Sequence, residues 1–385
     1  MSELSFRVPP RHLYVHVPFC ARRCSYCDFS IAVRREVPVS DYIEGIRREL
    51  ELRGRADESL DASAEHWPLD TLYLGGGTPS RLGGAGIAEL LATIRSHASW
   101  DDGAEVTLEA NPDDVSLESA AVWRAAGINR VSLGAQSFSP PALEWMRRTH
   151  DVDQIGEAVN HLRAAGINQF SIDLIFALPD DIPRDWSDDL ARALALRPDH
   201  LSLYGLTVEP HTPLGHWRER GEITESPEAR YERDFLLADA TLTAADFEHY
   251  EVSNYALPGA RARHNSSYWL HVPYAAIGPS AHRFDGARRS WNVAPYAEWL
   301  RRLREGIDPT DGSEMLTPEE IGAEATYVGL RTTDGLVLSD ELLAHTARWL
   351  DAGWASIVGD RIKLTPLGWL RLDALAVDLT HAGSR

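Results

Sequence analysis

All three cysteines of this 385-residue chain, Cys20, Cys24 and Cys27, fall in one short stretch, "VPFCARRCSYCDFS". An odd number of thiols in a single cluster is not a disulfide framework, and the pattern reads as a cytoplasmic protein whose thiols stay reduced. The spacing C-x3-C-x2-C, in a loop after a strand-like run, suits metal ligation. A structural zinc site needs four ligands, which His12 or His16 on the preceding strand could complete. A 4Fe–4S cluster normally takes four thiolates. Three thiolates leave one iron open to a small molecule that binds through amine and carboxylate groups. A second stretch, "LYLGGGTPS", places Gly75, Gly76 and Gly77 at the end of a strand-like run. Successive glycines there let the backbone approach a ligand and present its polar groups.

These loops need elements to hold them. Strand-like runs begin at His12, Thr71, Glu105, Arg130, Phe170 and His200, with helix-length segments between them. The hexapeptide "RAAGIN" occurs at Arg124–Asn129 and again at Arg163–Asn168, each time ahead of a strand-like run. Ile155, Val159 and Leu162 before the second copy share one helical face, and glycine closes the helix in a left-handed turn. About six βα units result. Near-continuous apolar strands alternating with helices predict an α/β fold with a parallel sheet covered by helices, as an incomplete barrel or a doubly wound sheet. In either, polar residues at strand ends are where the chemistry belongs.

The rhythm stops near Thr207. A polar stretch at 310–318 reads as a linker, and the rest as helix, a two-stranded ribbon around "VGDRIKL" and a closing helix, a small winged-helix-like α+β unit. The predicted division is 1–206, 207–309 and 310–385. A net charge of −20 argues against non-specific nucleic-acid binding, and the terminal unit is not basic enough to suggest DNA, so packing on the main domain is its expected role. No segment approaches the roughly 18 apolar residues of a membrane span, and the N-terminus lacks the apolar core of a signal peptide.

The motifs "YVHVPFCARRCSYCDF", "GGGTPS", "LEANPDD", "RVSLGAQSF" and "SIDLIFALP", in this order, resemble the radical S-adenosylmethionine (SAM) superfamily, and within it the oxygen-independent coproporphyrinogen III oxidase-like family. The resemblance runs from about Tyr14 to the C-terminal unit. It implies a partial (βα)6 barrel, a 4Fe–4S cluster on Cys20, Cys24 and Cys27, and one-electron cleavage of SAM to a 5′-deoxyadenosyl radical. It further implies cofactor contacts from Tyr14, Tyr26, Gly76, Gly77, Thr78 and Glu109, and contacts to a second cofactor molecule from Gln136, Arg148 and Asp173. Read without the resemblance, Glu109 and Asp173 could cap helices, Gln136 could satisfy strand-end backbone, and Arg148 could be a solvated charge.

Two departures separate the chain from the oxidases. Asp28 and Phe29 stand where they carry a further cysteine, and only nineteen residues precede the cluster motif. The block "HNSSYW", His264–Trp269, matches the H-N-x-x-Y-W pattern of the family's heme-chaperone branch. That branch implies heme as cargo, client heme proteins of respiration as partners, and membrane contact that is peripheral at most; homodimer formation is one use of its cluster. His264 is the expected axial ligand, with His271 and His282 as alternatives. Tyr268 and Trp269 offer flat faces for a porphyrin, and Arg261 and Arg263 could pair with its propionates. The competing reading of this block is a hydrogen-bonded turn with core aromatics. Decarboxylation of coproporphyrinogen is not expected; it is the alternative function.

Overall fold

The structure is a computed structural model and describes residues 10–56 and 67–383. Numbering only the main elements, six parallel strands form its centre: β1 (His12–Val17), β2 (Thr71–Gly76), β3 (Glu105–Ala110), β4 (Arg130–Gln136), β5 (Gln169–Phe176) and β6 (His200–Gly205). Each pairs with its predecessor in sequence, without reversal. A doubly wound sheet would reverse direction at a switch point; unbroken order is barrel winding. At one edge β7 (Glu248–Glu251) adds antiparallel to β8 (Asn254–Ala256), which adds antiparallel to β6, and at the other β9 (Ala275–Ile277) adds parallel to β1. The two edges do not pair, so among the described residues the nine-stranded barrel is open.

The strands are not apolar on both faces, as their composition suggested. Leu13, Val15, Leu72, Leu74, Val106, Leu108, Val131, Leu133, Ile172, Leu174, Leu201 and Leu203 are all buried. The register aligns them on one face, towards the helices. The alternate positions, including Tyr14, Tyr73, Glu109, Ser132, Asp173 and Tyr204, share the inner face. The expected parallel sheet under helices is present, but its interior is polar and able to hold a ligand.

The covering helices are α1 (Val39–Ala56), α2 (Gly83–Arg95), α3 (Leu117–Ala126), α4 (Val152–Ala164), α5 (Trp186–Ala195) and α6 (Glu228–Thr243). α1 buries Tyr42, Ile43, Ile46 and Leu50 along one stripe. α3 starts on a Ser116 capping box and stops at Gly127, whose φ of 114° closes the first "RAAGIN" copy; Gly166, with φ 82°, ends the second. Ile128 and Ile167 after these glycines are fully buried. Gly127→Ala is expected to lower unfolding free energy by about 1–2 kcal/mol, measured by urea titration, because an L side chain resists this backbone conformation.

Past the barrel come α7 (Arg263–Trp269), the strands β10 (His282–Phe284), β11 (Arg288–Asn292) and β12 (Thr310–Met315), and α8 (Tyr296–Arg304) between β11 and β12. The stretch read as a linker is therefore β12, bonded along β11, and it ties the polar segment to what precedes it. Its alternating sequence is masked by Gly312 and by charge, since one face lies open to solvent. The C-terminal residues form α9 (Pro318–Arg331), a small sheet that includes the ribbon Ala355–Val358 and Arg361–Leu364, and α10 (Leu372–Gly383). Trp369 anchors them: its indole donates to the Leu330 carbonyl at 3.0 Å and packs on His249 at 4.4 Å. No helix of the described residues is long and apolar enough to cross a membrane.

Candidate cluster and cofactor site

A cavity of about 510 Å³ opens at the carboxyl ends of the strands. Cys20, Cys24 and Cys27 line it, with Tyr26, Gly76, Gly77, Thr78, Glu109, Gln136, Arg148 and Asp173. Eleven of the residues singled out from sequence thus meet in one space.

The cysteine loop is pinned at three points. Phe19–Cys20 pairs with Ala32–Val33. The Ser25 N–H donates to the Met146 carbonyl at 3.2 Å, and the Leu214 N–H donates to the Ser25 carbonyl at 2.8 Å. Tyr26 packs beside Ala142, Leu143, Met146, Ile175 and Leu178. Gly77 lets the second loop pass close beneath: a Cβ there would lie 2.7 Å from the Pro18 carbonyl. Gly76, at φ 115°, faces His16, and a Cβ would meet that ring at 2.7 Å.

Burial pushes the Cys27 thiol up to about 11 and also raises Cys20, which the Thr78 hydroxyl at 3.4 Å partly offsets. Both are therefore neutral thiols when metal-free, and ligation must expel their protons. The Arg148 guanidinium lies 3.4 Å from Cys24 Sγ and is held by Asn111 Oδ1 at 2.6 Å and the Gly134 carbonyl at 2.9 Å. It is a fixed cation in the wall, not a solvated one. Among the described residues no three His, Cys, Asp or Glu side chains converge on a point that could hold a single metal ion. Three thiols that line a common space can each take a different iron of a polynuclear cluster. His16 is not a fourth zinc ligand, because its Nδ1 and Nε2 meet Tyr14 Oη at 3.1 Å and the Ser30 carbonyl at 3.0 Å.

Glu109 accepts from Tyr73 Oη at 2.8 Å and from the Gly76 N–H at 3.0 Å, and burial pushes it up to about 7. Asp173 accepts from Ser132 Oγ at 2.7 Å and Ser171 Oγ at 2.8 Å and is raised by burial. Gln136 has φ 66°, the left-handed region for a residue with a side chain, at the point where the register of β4 and β5 shifts. None of these acids caps a helix. Two carboxyl groups, the glycine backbone and an arginine in one cavity with three thiols can receive an amphoteric, cationic cofactor.

A model of the Radical SAM superfamily matches residues 14–193. Two relatives named "Heme chaperone HemW" are similar over nearly their whole length. One, from Mycobacterium tuberculosis, is 37% identical over 95% of this chain and 94% of its own. The other, from Bacillus subtilis, is 31% identical over 96% and 95%. The chain belongs to the HemW family. Radical SAM membership implies a 4Fe–4S cluster and SAM, which the thiols and the wall of the cavity fit. The HemW fold is also that of coproporphyrinogen III oxidase HemN from Escherichia coli, matched at TM-score 0.79 over 97% of this chain and 91% of that one; at 23% identity the likeness is one of fold.

Two expected residues lie elsewhere in this HemW-family chain. Tyr14 points into the barrel below the cavity, stacked on Tyr73 at 6.1 Å, and a Cβ at Gly75 would lie 2.9 Å from its ring. His264 does not hold as an open axial ligand. It is fully buried on α7 at the opposite, amino-terminal end of the barrel, under Tyr73 with ring centroids 5.0 Å apart. Its Nδ1 meets Thr71 Oγ1 at 2.7 Å, its Nε2 meets Tyr268 Oη at 2.8 Å, and Glu105 binds its backbone N–H at 2.9 Å. His282 is exposed and stacks on Trp291 at 5.8 Å, outside the cavity wall. Arg261 is paired with Glu248 at 2.5 Å, and Arg263 with the Gly103 carbonyl at 2.6 Å. Sequence reading missed Asn111, Ser132 and Tyr204 in the wall. Period-two alternation back from Gln136 was the signal that could have found Ser132, on the same strand.

Proposed function

We propose that this chain is a heme chaperone, which holds heme and delivers it to client heme proteins of respiration. The observation that carries the reading is the likeness, over nearly full length, to relatives that bear that name. In the proposal, Cys20, Cys24 and Cys27 hold the 4Fe–4S cluster. Gly76, Gly77 and Thr78 offer backbone and hydroxyl groups to the methionyl end of SAM, and Glu109 supplies the negative charge for its cationic groups. Gln136, Arg148 and Asp173 line the same cavity, Arg148 beside Cys24, and would contact a second cofactor molecule. The cluster with SAM supplies one-electron chemistry at a carbon–sulfur bond. The protein's part is to bury the thiols and to position Glu109, whose carboxylate Tyr73 and Gly76 hold and whose proton leaves when a cation arrives. The chain would work in the cytoplasm, touching membranes at their periphery at most, with homodimer formation as one use of the cluster.

One anaerobic, reconstituted preparation tests this. It is expected to take up stoichiometric heme, to pass it to an apo-acceptor, and to leave coproporphyrinogen III unchanged under reducing conditions. Sustained porphyrinogen decarboxylation would replace the carrier with the oxidase.

A further inference from the structure

A second cavity, of about 600 Å³, lies apart from the cluster cavity and shares no lining residue with it. α7, β10, β11 and α9 enclose it. Its wall is mostly apolar, with the aromatic Tyr268, Trp269, Tyr274, Phe284 and Tyr327 beside Val272, Ala323 and Val328, and its polar groups are His271, Arg289 and Glu324. Among the described lining residues Arg289 is the one permanent cation.

The polar groups form a linked set. Glu324 Oε2 accepts from His271 Nε2 at 3.1 Å and from Arg289 Nη2 at 2.6 Å. His271 is held at φ 54°, in the left-handed region, just past the end of α7. That turn closes α7: the His271 N–H donates to the Tyr268 carbonyl at 3.0 Å and the Val272 N–H to the Ser267 carbonyl at 3.3 Å, and it fixes the place of the His271 side chain. Its ring stands 4.7 Å from Phe284. The Trp269 indole N–H in the same wall is buried without an acceptor. The rings are not coplanar, Tyr268 crossing Trp269 at 73° and Tyr274 at 79°, and Arg331 stacks on Trp269 at 4.2 Å. An apolar aromatic wall with one imidazole, one guanidinium and a carboxylate that now satisfies both is the complement of an anionic, iron-bearing macrocycle.

We propose that this cavity is the heme seat, with His271 as axial ligand, Arg289 as propionate partner and Glu324 as the placeholder that heme displaces. The inference rests on the carrier reading above and says where the cargo sits. On entry the hydrogen bond from His271 Nε2 to Glu324 breaks, the proton passes through water to Nδ1, and the Nε2 lone pair binds iron. A propionate takes the place of Glu324 beside Arg289, and the partly exposed Glu324 turns to solvent. Iron oxidation state does not change, and no bond within the porphyrin is made or broken. Tyr268 joins the two halves of the molecule: its ring lies in this wall while its hydroxyl holds His264, which stacks on Tyr73 beneath Glu109.

Hemin titration of the full, cluster-loaded chain tests the seat, followed by Soret position and electron paramagnetic resonance. His271→Ala is expected to lose the imidazole-ligated signature and at least about tenfold in affinity, and added imidazole is expected to restore the signature. Glu324→Gln is expected to bind hemin more tightly than wild type. Val328→Trp fills the cavity and is expected to block uptake with cluster iron and sulfide unchanged, so the seat stays testable if His271→Ala fails to fold. Unchanged spectra and affinity in both His271→Ala and Val328→Trp, with a wild type that binds hemin, overturn the seat and leave the carrier. A wild type that binds no hemin overturns both.

Discussion

Cys24→Ala is expected to reduce bound iron and acid-labile sulfide to background while leaving the fold and hemin uptake in place. Cys24 lies in a loop pinned by backbone bonds at Ser25 and by Tyr26, none of which uses its sulfur. Its loss removes only the 3.4 Å contact from Arg148, which keeps Asn111 and Gly134 as partners. The stability change in the metal-free protein should therefore stay within about 1 kcal/mol. The cluster has no such reserve, because the described residues offer no other cysteine and no side chains converging on a metal. Two thiolates cannot retain four irons against exchange with solvent thiols. Since the proposed heme seat shares no residue with this cavity, hemin affinity is the internal control. Full iron and sulfide content in the variant, or stoichiometric zinc in the wild type, would refute the cluster assignment.

The cluster site was legible because βα folds place the ends of parallel strands at one face, so residues far apart in sequence but equally placed on their strands must meet. That rule gathers Cys20, Gly76, Glu109 and Asp173 into one cavity, while their roles come from the resemblance. Arg148 was harder, since its neighbours in sequence are charged and its partners, Asn111 and Gly134, come from other strands. The histidine motif was misread for the same reason. The letters of "HNSSYW" announce an imidazole among aromatics but not which side of α7 faces the barrel. Glu105 binds the amino-terminal backbone of that helix, and Thr71 takes the ring nitrogen, 193 residues away in sequence. Once His264 is used as floor, the part of the motif still free is its far end, Tyr268 and Trp269, and the chain reaches His271 in the next turn. The linker expected at 310–318 failed for a different reason: an edge strand with one wet face carries too little apolar signal to be read as a strand.

Glu109→Gln is expected to weaken SAM binding by about 2–3 kcal/mol, roughly a hundredfold, and to flatten its pH dependence. The carboxylate is the only form of Glu109 that offers a charge to an ammonium or sulfonium group. Burial pushes its pKa up to about 7, against the pull of Tyr73 and Gly76, and the nearby Asp173 adds to the rise. Wild-type affinity should therefore hold above pH 7 and fall about tenfold per unit below it, with a proton released on binding in that range. Stability of the free protein moves the opposite way. An acid whose folded pKa lies above its ordinary 4.5 binds more protons folded than unfolded, so stability is lost as pH rises from about 4.5 to 7. The loss is roughly 3 kcal/mol at most, and the neutral glutamine escapes it. The variant should thus be the more stable free protein at pH 8 and the poorer binder, and the two differences should shrink together as pH is lowered. Isothermal titration with SAM in buffers of different ionisation enthalpy reads the first effect, and urea unfolding at pH 5 and pH 8 the second. Equal affinity in wild type and variant across that range would remove Glu109 from the cofactor's contacts and leave it a structural partner of Tyr73.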